Sequence, residues 1–261
     1  MSPRPSLFRG FHFLLSVAAL GVGSARAQFV WDGTTSLAAT TLGGNTVPAG
    51  GTLTISTGND HDYPATAIVN NGVVTWSGGR LRGGDGSTIT NNAAFNDTLT
   101  ATTDINGDFG NHVSSFTNSA TGTYTKSGSA TTRFVGAPFD NAGFVSVQAG
   151  TLQLAAGGTN AATGVFSTSA GARTLFTGDY TLAHGSTLTG FGTYELAGGA
   201  FTASGDIRIS RFNQTGGALY GTTTYFPPAL VWTGGTWNTG GSTTLDSTSS
   251  LTLDGAVDHD Y

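Results

Sequence analysis

Few strings in this chain have residue types suited to chemistry, and the most distinctive is Asp60-His61-Asp62-Tyr63, which returns as Asp258-His259-Asp260-Tyr261. A histidine flanked by carboxylates can act as a base or a metal ligand, because one ring nitrogen is oriented while the other meets substrate or ion. Neither copy has a second histidine close by in sequence. Recurrence in step with a long repeat instead predicts a turn or a junction between repeated units. Asp104-Ile105-Asn106-Gly107-Asp108 begins like a calcium loop with alternating oxygen ligands. The glycine after Asp108 comes one place late, behind Phe109, and Ser115 stands where the bidentate glutamate belongs. The stretch GGDGSTIT at 83–90 approaches a calcium-binding nonapeptide but carries Thr88 where its aspartate belongs.

Arg80 and Arg82 form the first close basic pair, and on a strand they share one face, where they could line a groove for an anionic glycan. Trp76 and Trp237 are candidate flat platforms for sugar rings among the four tryptophans. Glycan hydrolysis would need two carboxylates facing each other about 5 to 10 Å apart, and elimination a base with cations beside it. The acids here are scattered singly through turns, so no catalytic residue is assigned. With no cysteine, thiol catalysis and thiolate metal sites are excluded. No cofactor or metal is expected.

The elements that would position these groups follow from composition. Of 261 residues 41 are Gly, about 16% against a usual level of about 7%. Only 10% are charged, with one Lys (Lys126) and one Glu (Glu195), so the residues that build surface helices are missing. At 38% hydrophobic, including 16 Phe, the chain can still bury a core. Thr, Ser, Gly and Asn fill the positions between apolar residues, a period-two pattern of short strands and glycine corners. In GFVSVQAGTLQL, Val145 and Val147 precede a Gly150-Thr151 corner, and Leu152 and Leu154 follow it.

Self-comparison finds two repeats. FVWDGTT at 29–35 and LTISTGNDHDY ending at Tyr63 return as LVWTGGT at 230–236 and LTLDGAVDHDY ending at Tyr261, which predicts a β-solenoid repeat region over 28–261 made of one unit of about 200 residues and the start of a second, part of a longer array. Inside it, an apolar residue, any residue, then an amide recurs in VNNG, ITNN, FTNS, FDNA and FNQT. Aligning Asn71, Asn91, Asn118, Asn141 and Gln214 gives spacings of a β-solenoid coil, with the amides stacked as a ladder. The predicted fold is an all-β, right-handed parallel β-helix; repeated β-sandwiches are the alternative.

The runs FDNAGFVSVQAGTLQLAAGGT and FTGDYTLAHGSTLTGFGTYELAGGAFTASG resemble repeats of large bacterial exported β-helix proteins, the autotransporter-passenger and filamentous-haemagglutinin-like adhesins. The resemblance spans most of residues 65–220 and rests on repeat grammar. It implies a β-helix at the cell surface or outside the cell, acting as a stalk or adhesin. The sequence departs from the autotransporter pattern in that no C-terminal barrel strands follow.

Residues 1–27 place Arg4 and Arg9 before an apolar run and end in Ala25-Arg26-Ala27, the pattern of a cleaved signal peptide. The apolar run is shorter than the roughly 20 residues of a membrane span. Removing these residues takes three Arg and no acid, leaving 7 basic and 15 acidic residues from Gln28 and a formal charge of −8. Such a surface repels nucleic acid and anionic lipid. The expected partners are a glycan or another cell surface, and further repeat units of the same protein.

Overall fold

The computed structural model describes residues 28–32, 45–205, 207–221, 229–239, 247 and 249–255. The predicted signal peptide, residues 1–27, and the second Asp-His-Asp-Tyr string lie outside them. The described chain is all β, with 29 short strands and no helix. They form three sheets of nine, ten and ten strands, here called A, B and C in that order of strand number: A has nine, while B and C have ten each. Every strand pairing is parallel, which removes the β-sandwich alternative and makes the fold a parallel β-solenoid.

One coil shows the grammar. Strand β9 (Ala94–Asp97) lies in sheet A, β10 (Thr103–Phe109) in sheet C and β11 (Ser114–Asn118) in sheet B; β12 (Thr123–Lys126) then returns to sheet A, directly above β9. Each strand alternates inward and outward residues because successive side chains point to opposite faces. In β15 (Phe144–Val147) and β16 (Thr151–Leu154), Val145, Val147, Leu152 and Leu154 are fully buried, as the period-two pattern around Gly150 predicts. Gly150 has φ +65°, a conformation other residues adopt only at a cost.

The interior is one continuous cluster running from Trp31 to Leu230. Its middle coils are aromatic: Phe116 stacks on Phe139 at 5.1 Å, and Phe95 on Tyr124 at 5.5 Å. Phe134 meets Phe139 edge-on at 4.8 Å.

The long sequence repeat does not superimpose coil on coil. FVWD contributes β1 (Gln28–Trp31) to sheet A, whereas LVWT contributes β27 (Ala229–Trp232) to sheet C. The same alternation of Val and Trp serves either face, so sequence similarity alone did not fix the sheet.

Candidate functional site

Strand β4 (His61–Asp62) explains the Asp-His-Asp-Tyr string by parity. Asp60 and Asp62 project outward while His61 and Tyr63 are buried. Arg80 and Arg82 lie one coil further on, with Arg82 on β7 (Leu81–Gly84) in register with Asp62. Asp60 accepts two hydrogen bonds from Arg80 at 2.8 and 2.7 Å, and Asp62 two from Arg82 at 2.7 and 2.8 Å. These fork-shaped contacts fix rotamers on both sides. The Arg80 guanidinium, through its hydrogen bonds, holds the Asp60 carboxyl below the usual range. Asp104 repeats the device one coil on, accepting from Arg133 at 2.6 and 3.0 Å. Arg82 also lies over the Phe109 ring at 5.2 Å.

His61 is packed into the core. Its Nε2 lies 3.0 Å from the Trp31 carbonyl, the Trp31 ring meets it edge-on, and its Nδ1 is buried without a partner. Burial pushes its pKa down, so the neutral ring belongs to the core. Tyr63 donates or accepts at Ser114 Oγ, 3.3 Å away, and burial raises its phenol to about 12. The first copy of the motif is therefore a strand whose two faces serve packing and ion pairing, and not a turn.

The calcium candidate is also a strand. Both Asp104 oxygens face Arg133, Asn106 is buried, and Asp108 lies outward with Arg80 Nη1 at 3.6 Å. Among the described residues no three carboxylates or histidines gather as a metal-binding group.

Of the two candidate sugar platforms, Trp76 is not presented. Trp76 is fully buried, its Nε1 donating to the carbonyls of Gly78 and Gly79, because it stands at an inward position of β6 (Val73–Trp76). Trp237 is partly buried, lies flat on Trp232 at 4.5 Å and donates to Gln214 Oε1. Arg80 and Arg82 remain partly exposed, and Arg80 with Asp60, Ser77 and Thr102 lines a shallow groove at the corner between sheets A and C.

The amide ladder is real in geometry but its ends differ from the alignment. Asn70 Nδ2 donates to Asn91 at 2.7 Å, Asn91 to Asn118 at 2.8 Å, Asn118 to Asn141 at 2.8 Å and Asn141 to Asn160 at 2.7 Å. All five are buried at the ends of sheet B strands. Asn71 is displaced by one residue: Ile68 and Asn70 share the inward face, whereas Asn71 is exposed and accepts from Asn92. Gln214 is in the wrong sheet, ending β25 (Arg211–Gln214) of sheet C between Leu196 and Trp232. Asn160 lies outside the apolar-x-amide pattern because Gly158 fills the apolar place in Gly-Thr-Asn. Its position is set by Gly158 at φ +136°, where a Cβ would stand 2.2 Å from the Phe139 carbonyl. Val47 precedes the ladder and Leu182 and Ala203 follow it, apolar residues in the same column.

The largest departure from the alternation of apolar and polar residues is a pair no motif announces. Asp97 and Lys126, the sole lysine of the chain, are register partners at the inward ends of β9 and β12, both fully buried. Lys126 Nζ is 3.6 Å from Asp97 Oδ1 and donates to the Gly128 carbonyl at 2.6 Å. Asp97 Oδ2 accepts from Tyr124 at 2.8 Å and from Thr132 at 2.5 Å, and Oδ1 accepts from the Leu99 amide at 3.2 Å. Desolvation raises the Asp97 pKa and lowers that of Lys126, so burial works against both charges. The available sequence signal was parity: Tyr124 and Lys126 alternate inward with Thr123 and Thr125 outward.

Compared with known families, curated proteins and solved structures, the chain finds no match. Its functional reading therefore rests on the geometry. Among the described residues no helix is long and apolar enough to cross a membrane.

The outward face of sheet A completes the surface. Thr54, Thr75, Asn96, Thr125, Ser146, Ser167 and Thr189 follow one another in register from coil to coil. In parallel sheets successive strands lie about 4.8 Å apart, so this is a straight row of hydroxyl and amide groups.

Proposed function

We propose that this protein is an exported, non-catalytic scaffold, structural or adhesive, that works at the cell surface or outside the cell. The observation that carries this reading is how the candidate reactive groups are used. Asp60, Asp62, Asp104, Arg80, Arg82 and Arg133 pair with the neighbouring coil, and His61 packs in the core. The side chains suited to chemistry thus tie storeys together. The leader-like residues 1–27, the acidic balance after them and the resemblance to exported β-helix adhesins support the location.

The contact surface in this reading is the polar row of sheet A, which suits a partner with many hydroxyl groups, a glycan above all. Hydroxyls and amides at regular spacing can exchange hydrogen bonds with such a ligand at low desolvation cost, each bond modest and the row additive. The test is a glycan and host-cell binding screen with purified protein, repeated with Thr75→Glu and Thr125→Glu together. Binding that falls at least tenfold in the double variant supports the reading. Turnover of any glycan that is lost on changing Arg80 or Asp104 overturns it in favour of a polysaccharide-active enzyme.

A further inference from the structure

We propose that Asp97 and Lys126 condense within the folded chain into an isopeptide bond that covalently staples two neighbouring coils. The inference is independent of the adhesive reading, because it concerns the interior. The pair is held as reactants need to be: in register on adjacent strands, fully buried, and with Nζ 3.6 Å from Oδ1. Enclosure of this kind turns a bimolecular condensation into a local one with a high effective concentration. The packing around it is rigid, with Phe95 stacked on Tyr124 and Tyr124 edge-on to Phe116.

Polar neighbours are placed for the chemistry. Asp97 Oδ2 faces two hydroxyl donors, Tyr124 Oη and Thr132 Oγ1. In the step, an ammonium proton passes from Lys126 to the Asp97 carboxylate, giving a neutral amine and a carboxylic acid. The nitrogen lone pair adds to Cγ, and the negative charge that develops on Oδ2 is stabilised by the two hydroxyls. A second proton moves from nitrogen to Oδ1, the C–Oδ1 bond breaks and water leaves with that oxygen. One C–N bond forms, one C–O bond breaks and nothing is oxidised or reduced. The Gly128 carbonyl, accepting from Nζ at 2.6 Å, orients the amine. The product is a neutral amide, so the cost of holding two opposite charges away from water disappears. In a chain without cysteine this bond takes the place of a disulfide.

Because Lys126 is the chain's only lysine, one experiment is decisive. The purified full chain, its N-terminus fixed by peptide mapping, is denatured and divided: one portion is weighed intact by mass spectrometry and the other is treated with a lysine-specific endoprotease. The expected result is resistance to the protease and a mass one water, about 18 Da, below that of the sequence. The Lys126→Arg chain, which keeps the charge but lacks the amine, is expected at its full sequence mass. A wild-type mass equal to the sequence, with cleavage into two fragments after Lys126, overturns the proposal whether or not the variant folds. Tyr124→Phe is expected to leave a measurable uncondensed fraction; a wild-type mass deficit that is unchanged in Lys126→Arg also overturns it.

Discussion

Asn118 is the middle rung of the ladder and bonds in both directions, to Asn91 and Asn141, as well as to the Gly122 and Phe144 carbonyls. Replacing it with Ala leaves buried partners short of hydrogen bonds, and each such loss costs about 1–3 kcal/mol. Asn118→Ala is therefore expected to lower the unfolding free energy by roughly 2–4 kcal/mol in urea. Asn71→Ala, at the exposed neighbour of the first rung, is expected within about 0.5 kcal/mol of wild type. Equal effects at the two positions would remove the buried amides from any special role. His61 supplies a pH dependence of known sign. Its folded pKa is lowered by burial, so the unfolded chain takes up the proton first as pH falls below the ordinary value of about 6.5. The stability attached to His61 is fully present above that pH and is lost on acidification. Asp60, lowered mainly by the Arg80 hydrogen bonds, adds a second loss only below about pH 4. Thermal melts between pH 7 and 5 should show a falling midpoint, and His61→Gln should flatten that slope. A slope unchanged in the variant would mean that His61 titrates alike in both states.

Between coils, the packing elements differ widely in what they contribute. Gly143 sits at the corner after the Asn141 rung, where an added Cβ would stand 2.2 Å from the Ser119 carbonyl and 2.3 Å from that of Gly122. Gly143→Ala must push two coils apart and is expected to cost about 1–3 kcal/mol or more, an overpacking penalty. Arg82→Ala removes a bidentate contact from a partly solvated face, and such pairs are worth about 1 kcal/mol or less. Chemical denaturation of the two variants checks this order; if Arg82→Ala proves the more damaging, the outward ion pairs and not the corners fix coil spacing. The same contrast explains how much of the fold was legible in the sequence. Strand parity is local, so Val145, Val147, Leu152 and Leu154 could be placed inward from their spacing alone. The amides Asn91, Asn118 and Asn141 were legible because each follows its inward Ile or Phe by two. Gly158 hides Asn160 from the apolar-x-amide pattern, and Gln214 fits that pattern in another sheet because the same parity holds on every sheet. The ion pairs of Asp60 and Asp62 and the Asp97–Lys126 contact depend on register between coils, which short-range patterns do not encode.

At the scale of the whole molecule, each coil touches mainly the coils before and after it, so stability is approximately a sum of nearest-neighbour terms. Those terms are unequal along the solenoid. The coils from β8 (Ser87–Asn91) to β19 (Arg173–Phe176) hold the aromatic stack, four of the five amide rungs and the buried Asp97–Lys126 pair. At the other extreme, all four residues of β29 (Ser250–Leu253) are exposed, including Leu253 at 57%. Opening at β29 releases side chains that are already exposed, whereas opening at Phe139 breaks stacking with Phe116 and edge contacts with Phe134. Hydrogen exchange is therefore expected to grade along the chain, with slowest amides in β11, β12, β14 (Phe139–Asn141) and β15 and fast ones in β29. Phe139→Ala, at a cost of about 3–5 kcal/mol, weakens the central interface and should uncouple the two halves. Its urea transition should broaden or split, with fluorescence of Trp76 and of Trp232 reporting different midpoints. Single-tryptophan versions of the Phe139→Ala chain test this directly. Coincident midpoints there, together with uniform exchange across the coils, would show that the solenoid unfolds as one cooperative block and that nearest-neighbour stacking is not what holds it.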